Sequence, residues 1–196
     1  MALPTDTIYT VYKNGEFTTY CQQRVKANNQ VVSDVSDYLV NDFQTTPGHL
    51  FTWALKDLGL QSKGNELIII LKSSKFDENT GITRGTFDIE IPNVTRFNNV
   101  KVDVKVAKTK YNNGVTKVNA DIKYSTLLLD KAVATFTTIP LRKNEQIFTT
   151  LVKIKFGWFF NLFITQNRYK SIVEWRIKKF TDNMHYENEI RQKSLE

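Results

Sequence analysis

The chain has 196 residues, of which 41% are hydrophobic and 24% are charged, a balance that is ordinary for one globular domain with a sizeable core. The formal net charge of +7 is the one departure, but the basic residues are spread along the chain, so the charge does not favour nucleic acid as a partner. The single cysteine, Cys21, excludes an intrachain disulfide and a cysteine-based zinc site, and we expect it to be buried.

The first pattern along the chain is typical of a β-hairpin. Ile8–Tyr12 and Phe17–Tyr20 are rich in β-branched and aromatic residues, and Asn14-Gly15 between them favours a tight turn. We expect the second arm to continue toward Val25.

Two short helices are predicted next. Apolar residues at helical spacing indicate a helix over 32–43, which Ser33 or Asp34 could cap. Pro47-Gly48 would end this helix, and a second one is predicted over 50–58, with Gly59 as its stop.

Long antiparallel strands are predicted in the middle of the chain. Val100, Val102, Val104 and Val106 alternate with polar residues and therefore share one dry face. Asn112-Asn113-Gly114 supplies residues that tolerate a turn. Strands are predicted over 67–71 and 87–91, as a long hairpin within 100–130, and over 132–139 and 146–156.

The last predicted element is an amphipathic helix from Asn167 onward. Its apolar residues recur at steps of three and four: Tyr169, Ile172, Val173, Ile177, Phe180 and Met184. Such a stripe needs a partner surface. We expect it to pack on the dry face of the 100–130 hairpin, with Trp175 largely buried at the rim of the contact.

This order of elements resembles the START-like, helix-grip superfamily, which includes birch-pollen-allergen and polyketide-cyclase-like proteins. The strongest local support is RYKSIVEWRIKKFTDNM at 168–184, which is similar to the closing helix of many such domains. The resemblance lies in element order and not in a signature motif. A lipocalin-type barrel fits less well because of the two early helices. A lipoprotein-transport half-barrel fits the strand content but usually places its helices elsewhere.

The resemblance implies an α+β fold in which a curved antiparallel sheet wraps a long C-terminal helix, with two short helices near the N-terminus. One domain would span 1–196, with 1–21 as an additional hairpin. The cavity between sheet and helix would hold a hydrophobic small molecule or lipid, without a cofactor. Candidate lining residues are Val102, Val104, Phe136, Tyr169, Val173, Ile177 and Phe180, and each of them is equally well explained as ordinary core.

Catalytic and metal motifs are absent from the sequence. No glycine-rich phosphate loop or metal-ligand pair occurs, and the only histidines, His49 and His185, suit structural or surface roles. We therefore predict no catalytic residues and no metal site. An enzyme of the cyclase or hydrolase type remains an alternative by resemblance, and His49, Asp121 and Tyr124 are the groups to inspect first.

A second alternative is a protein-interaction module. The 13 phenylalanines, 8 tyrosines and 3 tryptophans could fill the cavity, and the hairpin 8–20 would then offer an exposed edge to a partner. The sequence leaves the oligomeric state open.

The segment FGWFFNLFI at 156–164 is unusually apolar but far shorter than the ~20 residues of a spanning helix. It suits a buried strand end and helix start, or an apolar lip of Trp158, Phe159 and Phe160 at the mouth of a cavity. Flanking basic residues would suit peripheral contact with anionic lipid: Lys153, Lys155, Arg168 and Lys170. No signal peptide is predicted in the chain as it stands, although a leader could have been removed, so the location stays open.

Overall fold

The computed structural model describes residues 6–58, 68–93, 95–124, 129–142, 144–161 and 164–194, without the side chains of 159 and 160. Within these ranges the strands are β1 Asp6–Lys13, β2 Glu16–Val25, β3 Ile68–Asp77, β4 Ile82–Ile91, β5 Thr95–Lys110, β6 Thr116–Tyr124, β7 Leu129–Arg142 and β8 Glu145–Phe156. The α-helices are α1 Asn29–Thr45, α2 Trp158–Asn161 and α3 Gln166–Lys193, and a 3-10 helix covers Pro47–Thr52.

The eight strands form one antiparallel sheet in the order β1-β2-β8-β7-β6-β5-β4-β3. Breaks in register, which bend a sheet and increase its twist, interrupt the β3–β4, β4–β5 and β7–β8 pairs. The sheet curves around α3, which confirms the predicted α+β class of a curved antiparallel sheet with a long C-terminal helix.

The N-terminal hairpin is part of this sheet, because β2 pairs with β8 along its whole length. Asn14 and Gly15 connect β1 to β2 with φ values of 53° and 78°. Both lie in the left-handed region that asparagine and glycine tolerate, as the sequence predicted.

Helix α1 begins earlier than predicted. Asn28, and not Ser33 or Asp34, caps it, because the Asn28 side chain accepts a hydrogen bond from the Gln30 N–H at 2.8 Å. Ser33 instead lies on the buried face of α1, where its hydroxyl and carbonyl oxygens lie 3.0 and 2.9 Å from the ammonium of Lys108 on β5.

The second predicted helix, over 50–58, is wrong in type and position. Pro47 begins a 3-10 helix, and turns continue from it to Leu58. The Leu50 carbonyl accepts hydrogen bonds from both Trp53 and Leu55, which is a pattern of tight turns. The predicted stop, Gly59, lies outside the described residues.

Helix α3 packs on β1, β2 and β8 and also on α1, where Arg191 of α3 lies over the ring of Tyr38. The main contacts of α3 are therefore not with the β5–β6 hairpin, as was expected; Ile177 and Phe180 instead face Val102 and Val104 across a cavity. Trp175 was expected to be largely buried but is 42% exposed. Its neighbour Arg176 takes the inward position and stacks its guanidinium group 4.3 Å from the centre of the Trp175 ring.

Candidate functional site

The space between α3 and the far half of the sheet is a cavity of about 360 Å³. This volume lies near the lower end of the ~300–1,000 Å³ that is typical of small-molecule pockets. Its wall is almost entirely apolar, so the chain has left hydrophobic surface uncovered by its own side chains.

Alternation along the strands builds the sheet side of the wall. Every second residue of a strand points to the concave face, so each strand contributes a short apolar row. The lining residues from the sheet include Ile69, Leu71, Phe87, Ile89, Val102, Val104, Val118, Ala120, Ile122, Ala134, Phe136 and Val152.

Helical segments close the other side. Ile177 and Phe180 of α3 face the strands, and Leu39 and Phe43 come from α1. The 3-10 helix and the turns after it contribute a further row, consisting of Pro47, Leu50, Phe51, Leu55 and Leu58. The sequence did not assign this row to a site, although its apolar pattern was visible.

The seven predicted lining residues divide into two groups. Five lie on the wall: Val102, Val104, Phe136, Ile177 and Phe180. Tyr169 does not line the cavity, because its ring stacks on Phe17 with ring centroids 4.0 Å apart. Val173 does not line it either, and is partly buried elsewhere on α3.

Most polar side chains of the wall are satisfied within the chain. Thr83 donates to the Phe43 carbonyl at 2.8 Å, and the hydroxyls of Thr150 and Thr181 lie 2.8 Å apart. Thr135 donates to the Asn119 side chain at 2.9 Å. These bonds join strands and helices and leave little polarity facing the cavity.

Arg176 is the cation of the described wall, and its side chain links α3 to the turn that ends at Leu58. Its Nε donates to the Leu58 carbonyl at 3.0 Å, and a terminal nitrogen donates to the Ile172 carbonyl. The residue is only 8% exposed. Nothing in the sequence distinguished this arginine from the solvent-facing basic residues of α3.

Tyr124, at the end of β6, is the other titratable group of the wall. Burial raises the pKa of its hydroxyl to about 12. It lies beside an apolar cluster that contains Ile91, Val100 and Val102. Among the described residues, none forms a hydrogen bond with the Tyr124 hydroxyl.

The three groups singled out for an enzymatic role are not brought together. Asp121 is exposed and lies three residues before Tyr124, which places it on the opposite face of β6. His49 is outside the cavity, with Nδ1 2.8 Å from the buried carboxylate of Asp42. That carboxylate also accepts a hydrogen bond from Trp53 Nε1 at 2.8 Å, so the pair ties the 3-10 helix to α1.

Cys21 is buried on β2, as expected, and lies outside the cavity. Burial raises the pKa of its thiol, which keeps it protonated. In the described part of the chain, no group of three or more histidine, cysteine or carboxylate side chains could hold a metal ion.

The apolar segment after β8 is partly exposed. Trp158, on α2, is 69% exposed and does not line the cavity. The side chains of Phe159 and Phe160 lie outside the described residues, so the predicted lip cannot be placed as a unit. No helix in the described ranges is long and apolar enough to cross a membrane.

Comparison with known proteins gives a clear likeness in structure only. No protein-family model and no curated protein sequence matches the chain. A STAR-related lipid transfer protein fragment from Xanthomonas axonopodis has 12% identity and a TM-score of 0.52, over 93% of this chain and 98% of that one. A conserved protein from Geobacillus kaustophilus has 14% identity and a TM-score of 0.52, over 87% and 93%.

A START superfamily protein from Mycobacterium smegmatis has 12% identity and a TM-score of 0.50, over 88% of this chain and 97% of that chain. At these identities the likeness shows the fold alone.

Proposed function

We propose that this chain binds a hydrophobic small molecule or a single-chain lipid between the sheet and α3. The START-like, helix-grip fold and its open apolar cavity support this proposal. The cavity of about 360 Å³ is the observation that carries the proposal. Transfer of an apolar ligand from water to this wall is favourable by roughly 25 cal/mol per Å² of apolar surface buried. A volume near the lower end of the small-molecule range suits one chain or ring system better than a two-chain phospholipid.

The open cavity also bears on the two alternatives. An interaction module was expected to fill the space with its own aromatics, and this wall leaves the space open. An enzyme of the same fold would need several reacting groups inside the cavity, and of the three groups singled out only Tyr124 lies on its wall, while His49 and Asp121 lie outside it. Both observations favour binding.

A matched pair of variants on β6 tests the proposal. Ile122 lines the cavity, whereas its neighbour Lys123 is exposed on the other face of the sheet. Binding of the uncharged probe N-phenylnaphthylamine is followed by fluorescence, and native mass spectrometry reports any ligand that copurifies. Ile122→Trp should weaken probe binding at least tenfold because the indole occupies the site, and Lys123→Trp should leave it unchanged.

Two results would contradict the proposal. One is a clean apo mass together with no probe binding by the wild-type chain. The other is an equal effect of the two tryptophan variants, which would place the probe outside the cavity. Circular dichroism of both variants checks that each keeps the wild-type fold.

We also propose that the surface around α2 makes peripheral contact with anionic lipid. Trp158 is 69% exposed, and tryptophan favours the boundary between water and lipid. Lys153, Lys155, Arg168 and Lys170 lie close to it in the chain, and Lys155 and Lys170 are exposed. Basic residues beside an exposed indole suit a negatively charged bilayer.

Vesicle sedimentation tests this contact, with phosphatidylcholine vesicles that either contain or lack phosphatidylserine. Trp158→Ala should reduce sedimentation with the anionic vesicles severalfold. Trp175→Ala is the matched control, since Trp175 is 42% exposed on α3 but stacks with Arg176. Binding that does not depend on phosphatidylserine, or that both variants lower equally, would count against a site at α2.

A further inference from the structure

The Tyr124 hydroxyl is the polar group of the wall for which the described residues offer no hydrogen-bond partner. Thr83, Thr135 and Thr150 each bond within the chain, and Ser74, also on the wall, is exposed to solvent. Tyr124 is half-buried and lies on the cavity wall, so its unbonded hydroxyl is within reach of a ligand in the cavity.

We infer that the ligand of this cavity is an uncharged amphiphile with one oxygen, an alcohol or a carbonyl compound, whose oxygen hydrogen-bonds to Tyr124. This inference rests on the proposed function and specifies the chemical class of the ligand. The tyrosine hydroxyl both donates and accepts, so it can pair with a hydroxyl or with a carbonyl oxygen.

The surroundings of Tyr124 argue for an uncharged group. Burial raises the pKa of this hydroxyl to about 12, so it stays protonated and neutral at physiological pH. The cluster beside it is apolar: Ile91, Val100 and Val102 are buried there, and further aliphatic and aromatic side chains pack against them. A ligand carboxylate at this end would lose its hydration, and such a loss costs far more than that of a neutral oxygen.

Arg176 does not supply a rival site for an anionic ligand. Its Nε and one terminal nitrogen donate to the Leu58 and Ile172 carbonyls, and its plane stacks on Trp175. These contacts give the guanidinium group a structural task in holding the turn that ends at Leu58 against α3. The ligand's polar group is therefore directed to Tyr124.

The test compares three ligands with the same chain length: decane, decanol and decanoate, the last at a pH where it is ionised. Their affinities are measured by displacement of N-phenylnaphthylamine from wild-type protein and from Tyr124→Phe. Wild type should bind decanol more tightly than decanoate. Tyr124→Phe should weaken decanol binding about three- to tenfold, the size of one neutral hydrogen bond, and should leave decane binding unchanged or slightly tighter.

Tyr169→Phe is the matched control. Burial raises the pKa of Tyr169 to about 12 as well, but its hydroxyl bonds to Thr19 and the residue does not line the cavity. This variant should leave the affinities for the three ligands unchanged. It therefore distinguishes the general effect of removing a tyrosine hydroxyl from the specific effect of removing a ligand contact.

Three outcomes would overturn the assignment: tighter binding of decanoate than of decanol, no loss of decanol affinity in Tyr124→Phe, or an equal loss for decane and decanol. If wild-type protein binds the probe and any of these three outcomes is found, the ligand class fails and the proposed function stands. If wild-type protein binds neither the probe nor any of the three ligands, the proposed function itself fails.

Discussion

The ring of Tyr169 stacks on Phe17, and its hydroxyl accepts a hydrogen bond from Thr19 at 3.3 Å. Tyr169 is 1% exposed and joins α3 to β2. Tyr169→Ala should lower the free energy of unfolding by about 3–5 kcal/mol, because it removes a buried aromatic ring and leaves a cavity. Tyr169→Phe should cost about 0.5–1.5 kcal/mol, the net value of one hydrogen bond.

Urea unfolding measures both losses, with Tyr186→Ala as the control. Tyr186 is 64% exposed, so its replacement should change stability by less than about 0.5 kcal/mol. Similar losses for Tyr169→Ala and Tyr186→Ala would mean that the Phe17–Tyr169 stack does not hold α3 to the sheet.

Tyr169 also shows how far a helical stripe can predict a site. The spacing of three and four placed Tyr169 and Ile177 on one apolar face, and both are buried. It could not say that Tyr169 meets β2 while Ile177 meets the cavity, because periodicity describes one helix and not what lies opposite each turn. Arg176 escaped prediction for a related reason: its burial depends on the Leu58 carbonyl, which is distant in sequence.

At the scale of elements, the prediction to test is that Ile177 lies on the face of α3 that lines the cavity. Ile177 is 6% exposed, whereas Lys178 points to solvent and pairs with Asp182 at 3.0 Å. Ile177→Asp would place a carboxylate against an apolar wall, so it should cost several kcal/mol. Lys178→Gln should cost about 0.5 kcal/mol or less, because exposed pairs spaced four residues apart on a helix contribute little.

Thermal melts of the two variants provide the comparison, and probe binding adds a second measure. Ile177→Asp should also weaken N-phenylnaphthylamine binding, whereas Lys178→Gln should not change it. Two small, equal losses of stability would show that this stripe of α3 does not face the interior.

The elements themselves were largely predictable because their patterns are local. The alternation along β5, the Asn14-Gly15 turn and the apolar stripe of α3 can each be recognised from residues that are close together in the sequence. The cap of α1 was missed because both Asn28 and Ser33 can accept from a helix N-terminus. Only tertiary packing separates them, since Lys108 of β5 contacts Ser33.

At the scale of the whole molecule, the cavity exists because the curved sheet leaves a space between its far strands and α3. The breaks in register at Leu71/Ser73 and Phe87/Ile89 lie in β3 and β4, the far strands that wall the space. Bulges of this kind bend a strand, and their positions depend on pairing that the sequence alone does not reveal. The apolar residues of the wall could thus be predicted as core, but the space between them could not.

An open apolar cavity lowers the stability of a fold, because its walls lose packing contacts that a filled core would have. Ala134 lines the cavity from the middle of β7, so Ala134→Phe should partly fill the space. We expect this variant to gain about 0.5–2 kcal/mol of unfolding free energy without added ligand, as cavity-filling changes commonly do. It should also lose the stabilisation that saturating N-phenylnaphthylamine gives to wild-type protein, which is about 2.7 kcal/mol at a hundredfold excess over Kd.

Ala107→Phe is the matched control, because Ala107 is exposed on β5 and the same ring added there occupies no interior space. This variant should keep both the wild-type stability and the full response to the probe. The measurements are urea unfolding curves of the three proteins with and without the probe. If the Ala134→Phe variant is less stable than wild type, the wall is already closely packed and has no space for the added ring. If the Ala134→Phe variant still gains the full stabilisation from the probe, the probe binds outside the cavity, because the filled cavity has no room left for it.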